Sequence, residues 1–172
     1  QKIRAEGFLR TIYLYPMALS FIVTGTAWRW MLNPSLGIEK FAQDLGFVNF
    51  TFDWLVTPGM SIYTIVIAGV WQSSGFIMAI FLAGLRSVDD EIIKAAKIDG
   101  ASLVSVYTKI ILPMMRPVFM SAIVILVHLA IKSYDLVIAL TAGGPGISSD
   151  MPAVFMTQMA FHRSEIGLAS AS

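Results

Sequence analysis

Long apolar runs separated by shorter polar segments dominate this chain, and three of the runs are long enough to predict membrane-spanning helices. A span needs roughly 20 mostly apolar residues. The clearest run, Met60–Leu85, contains no charged residue, and the runs over 11–28 and 117–140 have a similar character. The pattern therefore predicts spans over about 11–32, 60–85 and 117–140, and the start of another at about 166.

The less polar of the connecting segments contain few charges and many helix breakers. Asn33–Gly59 mixes prolines and glycines with apolar residues, which favours short interfacial helices. Thr141–Gly146 contains three glycines and a proline, and it predicts a sharp turn. Met151–Phe161 follows as an apolar helix too short to span a bilayer.

The segment 86–116 is the most charged part of the chain and predicts two short helices. Ser87 and Asp90 have the spacing of a capping box for a helix that runs through Lys97. The dipeptide Asp99-Gly100 predicts a break after that helix. A second helix is expected over about 102–112, and Pro113 is expected to end it.

Basic residues are distributed unevenly between the two sides that these spans define. The amino-terminal flank and segment 86–116 together carry eight Lys and Arg residues, whereas segments 33–59 and 141–165 together carry two. Cytoplasmic loops carry an excess of Lys and Arg. Segment 86–116 is therefore predicted to face the cytoplasm. The basic residues of the amino-terminal flank are Lys2, Arg4 and Arg10.

Composition supports a protein whose solvent is the lipid bilayer. Of the 172 residues, 56% are hydrophobic and 13% are charged, against roughly a quarter charged in a soluble domain. The mean hydropathy is +0.74. There is no cysteine, and a net charge of +1 gives no general attraction to nucleic acid. No G-x-x-x-x-G-K-[ST] phosphate loop is present, so the chain is not predicted to bind ATP or another cofactor.

Five sequence segments together resemble one family of transport proteins. Segment 94–101 reads K-A-A-K-I-D-G-A and is followed by I-I-L-P at 110–113. This is similar to the E-A-A-x-x-x-G loop and the later I-x-L-P of the inner-membrane permeases of binding-protein-dependent ABC importers. Segments 28–34, 81–85 and 134–145 resemble further segments of the maltose-type carbohydrate branch, and a likeness to glucose/mannose-type importers is weaker.

The resemblance implies an all-α, polytopic helical membrane protein with the type I architecture of ABC importer permeases. Both ends of the chain look trimmed, so it is expected to be incomplete at both ends. The implied location is the bacterial inner membrane, with several passes. The implied partners are ATPase subunits that bind ATP and Mg²⁺, a second permease subunit, a periplasmic sugar-binding protein and membrane lipid.

By the same resemblance, segment 86–116 is the loop that couples the permease to its ATPase. Small residues allow close approach of another protein, and Asp99-Gly100 supplies a bend. One departure is Lys94, which stands where the family has Glu. We hypothesise that Glu91, three residues earlier on nearly the same helix face, substitutes for it. The residues assigned to this coupling loop are Glu91, Lys94, Ala95, Ala96, Asp99, Gly100, Ala101 and Pro113.

Polar residues inside the predicted spans are candidates for a solute path. Ionisable residues within spans are costly and are functional by default. In the second span, Gly69, Gln72, Ser73 and Phe76 recur at i, i+3, i+4 and i+7, and we call them the central stripe. Small and polar residues also join helices within membranes, so helix packing is an alternative for this stripe. For the third span, the alternative is that Lys132 and Asp135 pair and extend toward the outer membrane surface. The imidazole of His128 would then find its hydrogen-bond partner on a neighbouring helix. The residues assigned to the path are Gly69, Gln72, Ser73, Phe76, His128, Lys132 and Ser133.

Three other functions compete with a sugar permease. A proton-coupled secondary transporter would use His128, Lys132 and Asp135 as a relay, but it leaves the A-A-x-x-D-G-A segment unexplained. An ABC permease for another solute, such as glycerol phosphate, would need more basic residues along the path. A membrane-embedded enzyme would need a catalytic cluster, and the sequence shows none, so the chain is predicted to be a transport subunit.

Overall fold

A computed structural model describes residues 6–172, and every regular element in this range is helical. Lys2 and Arg4, which entered the charge count, lie outside the described residues. The elements are α1 (Glu6–Leu14), a 3₁₀ turn (Tyr15–Ala18), α2 (Phe21–Met31), α3 (Ile38–Asp44), α4 (Ser61–Arg86), α5 (Asp90–Ile98), α6 (Leu103–Val106), a π-helical turn (Tyr107–Ile111), α7 (Leu112–Met114), α8 (Arg116–Ile131), α9 (Asp135–Thr141), α10 (Pro152–Thr157), a second π-helical turn (Gln158–His162) and α11 (Ile166–Ala171).

The central helix α4 coincides with the clearest apolar run of the sequence. It has 26 residues and is therefore about 39 Å long. The mean hydropathy of its most apolar 18-residue stretch is 1.9. It ends where Ser87 donates a hydrogen bond from Oγ to the carbonyl oxygen of Gly84. In the described range, α4 is the one unbroken helix that is long and apolar enough to cross a membrane.

The first predicted span, 11–32, is not one continuous helix. Helices α1 and α2 meet at an angle of 101°. Pro16 tightens the chain into the 3₁₀ turn, after which Leu19 and Ser20 are extended. Ser20 then caps α2, because its Oγ accepts from the amide of Val23 at 3.2 Å. By length and composition, the two helices pass as a span only when they are counted together.

The third predicted span, 117–140, is also divided. Helix α8 ends at Ile131 and α9 begins at Asp135. The amide of Ser133 bonds three residues back, to the carbonyl of Ala130 at 3.1 Å, which tightens the last turn and ends the helix. In the sequence, His128, Lys132 and Asp135 are spaced i, i+4 and i+7, which predicts one helix face. That prediction is wrong, because α8 ends before Lys132 and α9 begins at Asp135. Helices α6–α7 and α8 form a second bent pair, at 61°, that passes as one span only if counted together.

The charged segment forms two helices, but their ends differ from those predicted. Asp89 caps α5, accepting from the amide of Glu91 at 2.9 Å, so the expected Ser87–Asp90 capping box is wrong. The second helix does not end before Pro113 either. A π-helical turn precedes the proline, with the amide of Leu112 bonding back to Tyr107. The wider turn accommodates a residue that lacks an N–H and would clash in a regular helix.

Two buried clusters organise the fold. The first lies where α2, α4, α9 and α10 meet, and the second lies between the carboxyl end of α4 and the segment α5–α8. Gly25 brings α2 close to α9, since a Cβ there would lie 2.6 Å from the Cβ of Ala139. The first cluster contains Ile65, Ala68, Leu136, Val137, Leu140 and Val154. The second contains Val88, Ala96, Val106, Ile111 and Met115.

The remaining connections partly match the predictions made from the sequence. Between Asn33 and Gly59, α3 is the one helix, and turns make up most of the rest. The predicted short helix over 151–161 is present as α10 and the π-helical turn that extends it. The glycine-rich segment 141–146 forms a turn, in which Gly143 and Gly146 have φ of +83° and +61°.

Candidate functional site

The predicted coupling loop is a helical hairpin made of α5 and α6. Gly100 has φ of +79°, the left-handed conformation that favours glycine. Its amide bonds to the carbonyl of Lys97 at 3.1 Å, and the amide of Ala101 bonds to the carbonyl of Ala96 at 3.0 Å. These two bonds form a Schellman motif, which satisfies carbonyls at the end of α5. Asp99 and Gly100 therefore form the predicted bend.

The small residues of the hairpin lie in different environments. Ala96 is buried in the second cluster, and Ala101 and Pro113 are half-buried. Ala95 is exposed, as are Glu91 and Lys94. A partner that approaches the outer face of α5 would therefore meet Ala95 together with both charged residues.

Four exposed apolar side chains of the hairpin were not assigned from the sequence. We call Ile98, Leu103, Val104 and Tyr107 the hairpin patch; Ile98 is 86% exposed and Val104 is 72% exposed. For Ile98, the helical periodicity of α5 could have predicted this exposure from the sequence. Ile93 and Ala96 face the second cluster, and at 100° per residue Ile98 lies far from that face. One exposed apolar residue is ordinary, whereas several together on one short segment mark a candidate contact surface.

The central stripe of α4 is divided between structural and cavity-lining positions. Gln72 is 5% exposed, and its Nε2 donates to the carbonyl oxygen of Leu19 at 2.8 Å. That carbonyl lies in the break between α1 and α2, where the regular helical bonds are interrupted. The Oε1 of Gln72 is buried and has no hydrogen-bond partner in the part of the chain that the structure describes. The geometry thus gives Gln72 a role in stabilising the break between α1 and α2.

Gly75 provides the second contact between α4 and the break. A Cβ at this position would overlap the carbonyl oxygen of Tyr13 at the end of α1. Only a residue without a side chain allows the two backbones to approach this closely. Gly75 was not among the sequence-predicted site residues, because a glycine in an apolar helix gives no sign of which backbone it meets.

Two adjoining cavities lie beside α4. The Gly69 cavity has a volume of about 300 Å³, and Gly69, Ser73 and Ser133 lie on its otherwise mostly apolar wall. The Phe76 cavity has a volume of about 440 Å³. Ser73 lines both cavities, so it lies where they adjoin. The remaining polar or aromatic residues that line the Phe76 cavity are Ser20, Phe21, Gln72, Phe76 and Asp135.

The charged candidates of the third span are not gathered in these cavities. His128 and Lys132 are exposed and line neither cavity. Asp135, which the sequence did not assign to the path, lines the Phe76 cavity because α9 begins at this residue. Across residues 6–172, no group of three or more His, Cys, Asp or Glu side chains is arranged to hold a metal ion.

By length and composition, α4 and the two bent helix pairs are those of a helical membrane protein, and comparison with known proteins identifies its family. Residues 2–171 match the family described as the binding-protein-dependent transport system inner membrane component. The chain belongs to this family, whose members are ABC permease transport subunits.

Individual relatives agree with this assignment. The chain is 40% identical over 171 residues to a probable ABC transporter permease protein of Pyrococcus horikoshii, covering 99% of this chain and 59% of the relative. It is 37% identical over 171 residues to a xylose/arabinose import permease protein of Haloferax volcanii, covering 98% of this chain and 53% of the relative. The chain therefore spans a little over half the length of these relatives.

A solved structure shares the fold. A bacterial alginate ABC transporter, in complex with an alginate pentasaccharide-bound periplasmic protein, matches with a TM-score of 0.83. The match covers 99% of this chain and 60% of the transporter chain, at 20% sequence identity. The all-α fold is therefore that of an ABC importer permease.

Proposed function

We propose that this chain is the core of a permease subunit in an ATP-driven sugar importer, where it lines the translocation path and couples to a separate ATPase. The observation that carries the proposal is the α5–α6 hairpin. It presents an exposed apolar patch on the most charged segment of the chain, next to the carboxyl end of α4. Exposed apolar patches of this kind are typical of protein–protein contacts.

The packing of the hairpin explains how a movement there would be transmitted to α4 and α8. Ala96 and Val106 lie in the second cluster with Met115, which directly precedes α8. Phe81 of α4 and Val118 of α8 pack against the same cluster. Because packed interiors transmit displacement rather than absorb it, movement of the hairpin by an ATPase would shift the ends of α4 and α8 together.

The cavities beside α4 support a path for a polar solute. A serine hydroxyl and the carboxylate of Asp135 provide hydrogen bonds in the Phe76 cavity, and Phe76 provides an aromatic surface. A sugar offers hydroxyl groups and apolar C–H faces, so it suits such a lining. The xylose/arabinose permease among the relatives supports this solute class. His128 and Lys132 remain proposed path residues in another conformation.

The proposed setting follows from the family. The subunit would cross the inner membrane several times and contact a second permease, lipid and a periplasmic sugar-binding protein. ATP and Mg²⁺ would bind to the ATPase partner, because this chain has no phosphate-binding loop. The chain itself would move solute without catalysing a reaction.

Co-purification of the full-length subunit with its candidate ATPase tests the coupling contact. Ile98→Glu places a charge in the hairpin patch and is expected to weaken retention of the ATPase about tenfold or more, as a central interface residue does. Leu36→Glu is the matched control, since Leu36 is 83% exposed in a connection outside the hairpin. Equal retention by both variants would rule out the patch as the docking site.

Uptake by the reconstituted importer in proteoliposomes tests the solute and the energy source. Xylose or arabinose should accumulate with ATP and the binding protein present, and a proton gradient alone should give no uptake. Uptake driven by the gradient without any ATPase would favour a secondary transporter. ATP-dependent uptake of glycerol phosphate but not of sugars would favour a permease for another solute.

A further inference from the structure

Four aromatic side chains form a chain of ring contacts, two stacked and one edge-on, at the end of α4 that lies opposite the hairpin. We call Phe50, Phe52, Trp54 and Tyr63 the aromatic ladder. Their successive ring centroids are 6.5, 4.8 and 6.3 Å apart. Phe50 and Phe52 are almost parallel, with 5° between their planes. Tyr63 lies in the first turn of α4, and the hairpin follows its last turn.

Hydrogen bonds from α3 hold the backbone of two ladder residues, Phe50 and Phe52. The carboxylate of Glu39 accepts from the amide of Phe52 at 3.0 Å and from Nε2 of Gln43 at 3.2 Å. Nε2 of Gln43 also donates to the carbonyl of Phe50 at 3.1 Å. Leu55, next to the ladder, packs against the first cluster. Two rungs of the ladder are therefore held before any ligand arrives, which lowers the entropic cost of binding.

Part of this fixed aromatic surface is open to solvent. Phe50 is 38% exposed and Tyr63 is 53% exposed, whereas Phe52 and Trp54 are half-buried. The indole N–H of a tryptophan and the hydroxyl of a tyrosine are polar groups at the edges of their rings. The ladder thus combines apolar ring faces with hydrogen-bonding side chains.

We propose that the aromatic ladder is a carbohydrate-binding subsite at the amino-terminal end of α4, outside the two cavities. The face of an aromatic ring is electron-rich, so it attracts the weakly positive C–H face of a pyranose. Trp54 and Tyr63 then meet the hydroxyl groups at the ring edge. The inference rests on the proposed sugar transport and adds a second place at which the solute binds.

The charge of the surrounding segment favours a sugar over an anionic lipid surface. Residues 33–59 contain the acidic residues Glu39, Asp44 and Asp53 against the single basic residue Lys40. Anionic lipid headgroups attract clusters of basic residues, and this segment has none. Aromatic residues also anchor proteins at the membrane interface, and the experiment therefore distinguishes sugar binding from lipid contact.

The experiment uses the full-length permease labelled with 5-fluorotryptophan, in phosphatidylcholine nanodiscs, with maltopentaose as the probe. Fluorine NMR resolves the labelled tryptophans, and Trp54→Phe assigns the Trp54 signal. We expect that signal to shift saturably with maltopentaose and the Trp30 signal to stay in place. Phe52→Leu should weaken the apparent Kd about fivefold, the scale of one lost aromatic contact. Phe47→Leu is the matched control, since Phe47 is exposed in the same segment outside the ladder, and it should leave the Kd unchanged.

Two results would overturn the inference. One is a Trp54 signal that does not move up to the solubility limit of the sugar, or that moves equally in Phe52→Leu. The other is a Trp54 signal broadened by spin-labelled phosphatidylcholine and insensitive to maltopentaose, which would make the ladder an interface anchor. ATP-driven sugar uptake by the same preparation would show that the proposed function stands even then. Sugar binding at Trp54 without ATP-driven uptake would instead leave the subsite standing and remove the proposed function.

Discussion

The middle of α4 and the α5–α6 hairpin are built in opposite ways. At the middle of α4, the backbones of two helices touch at Gly75, and a buried amide of Gln72 bonds to the chain break at Leu19. In the hairpin, the apolar residues of the patch are exposed. The first region is already filled by its own chain, so added atoms should destabilise it. The second has unfilled apolar surface, so substitutions there should affect a partner more than the fold.

The largest effect is expected from filling the contact at Gly75. Gly75→Ala would place a methyl group on the carbonyl oxygen of Tyr13. Overpacking costs about 1–3 kcal/mol and occasionally more, and here no rotamer change can relieve the clash because the atom that is met belongs to the backbone. In Gly69→Ala, on the same helix, the new Cβ would meet Leu136 Cδ2 at an ordinary 3.7 Å. Monodispersity of the purified full-length subunit after heating should fall sharply for the first variant and little for the second. Equal losses would mean that this backbone contact does not limit stability.

A somewhat smaller effect is expected from removing the amide that holds the break. Gln72→Leu leaves the Leu19 carbonyl without this donor, and an unsatisfied buried acceptor costs about 1–3 kcal/mol. Ser73→Ala is the matched control, because Ser73 lines both cavities one residue away. We expect Gln72→Leu to lower thermal stability, and Ser73→Ala to raise the KM for sugar at unchanged stability. A raised KM in Gln72→Leu with full stability would instead place Gln72 in the solute path.

The bend of the hairpin should respond to backbone conformation rather than to side-chain volume. At Gly100 there is open space for a Cβ, but φ is +79°. A non-glycine residue in this conformation costs roughly 1–2 kcal/mol, and asparagine tolerates it better. Gly100→Val should therefore reduce ATPase co-purification while Gly100→Asn retains most of it. Equal retention by Val and Asn would show that the left-handed turn is not needed for docking.

The smallest effect is expected at the start of the hairpin. Asp89→Ala removes the side chain that caps α5, at a cost of about 1 kcal/mol. Ser87→Ala tests the capping position that the sequence suggested and should have less effect on α5. Hydrogen exchange of the α5 amides should be faster in the Asp89 variant. Faster exchange in Ser87→Ala alone would restore the original capping assignment.

The sequence by itself determined the features that are encoded within a short stretch of chain. The apolar run of α4, the bend at Gly100 and the helical pair around it follow from hydropathy and local backbone preferences. The family segments were recognisable for the same reason, and the family match supports them. Errors arose where two local signals compete: Ser87 and Asp89 both offer a capping oxygen, and Pro113 ends a regular helix but not one preceded by a π-helical turn.

Only the tertiary structure decided which distant residues meet. The bond from Gln72 to Leu19 joins residues 53 positions apart, and the division of the third span places Asp135 in a cavity away from Lys132. The hairpin patch and the aromatic ladder likewise depend on which faces other helices cover. Periodicity shows that a residue is apolar or polar on a given helix face. Whether that face is buried, exposed or stacked is decided by packing between helices, because burial is a property of the neighbours rather than of the residue.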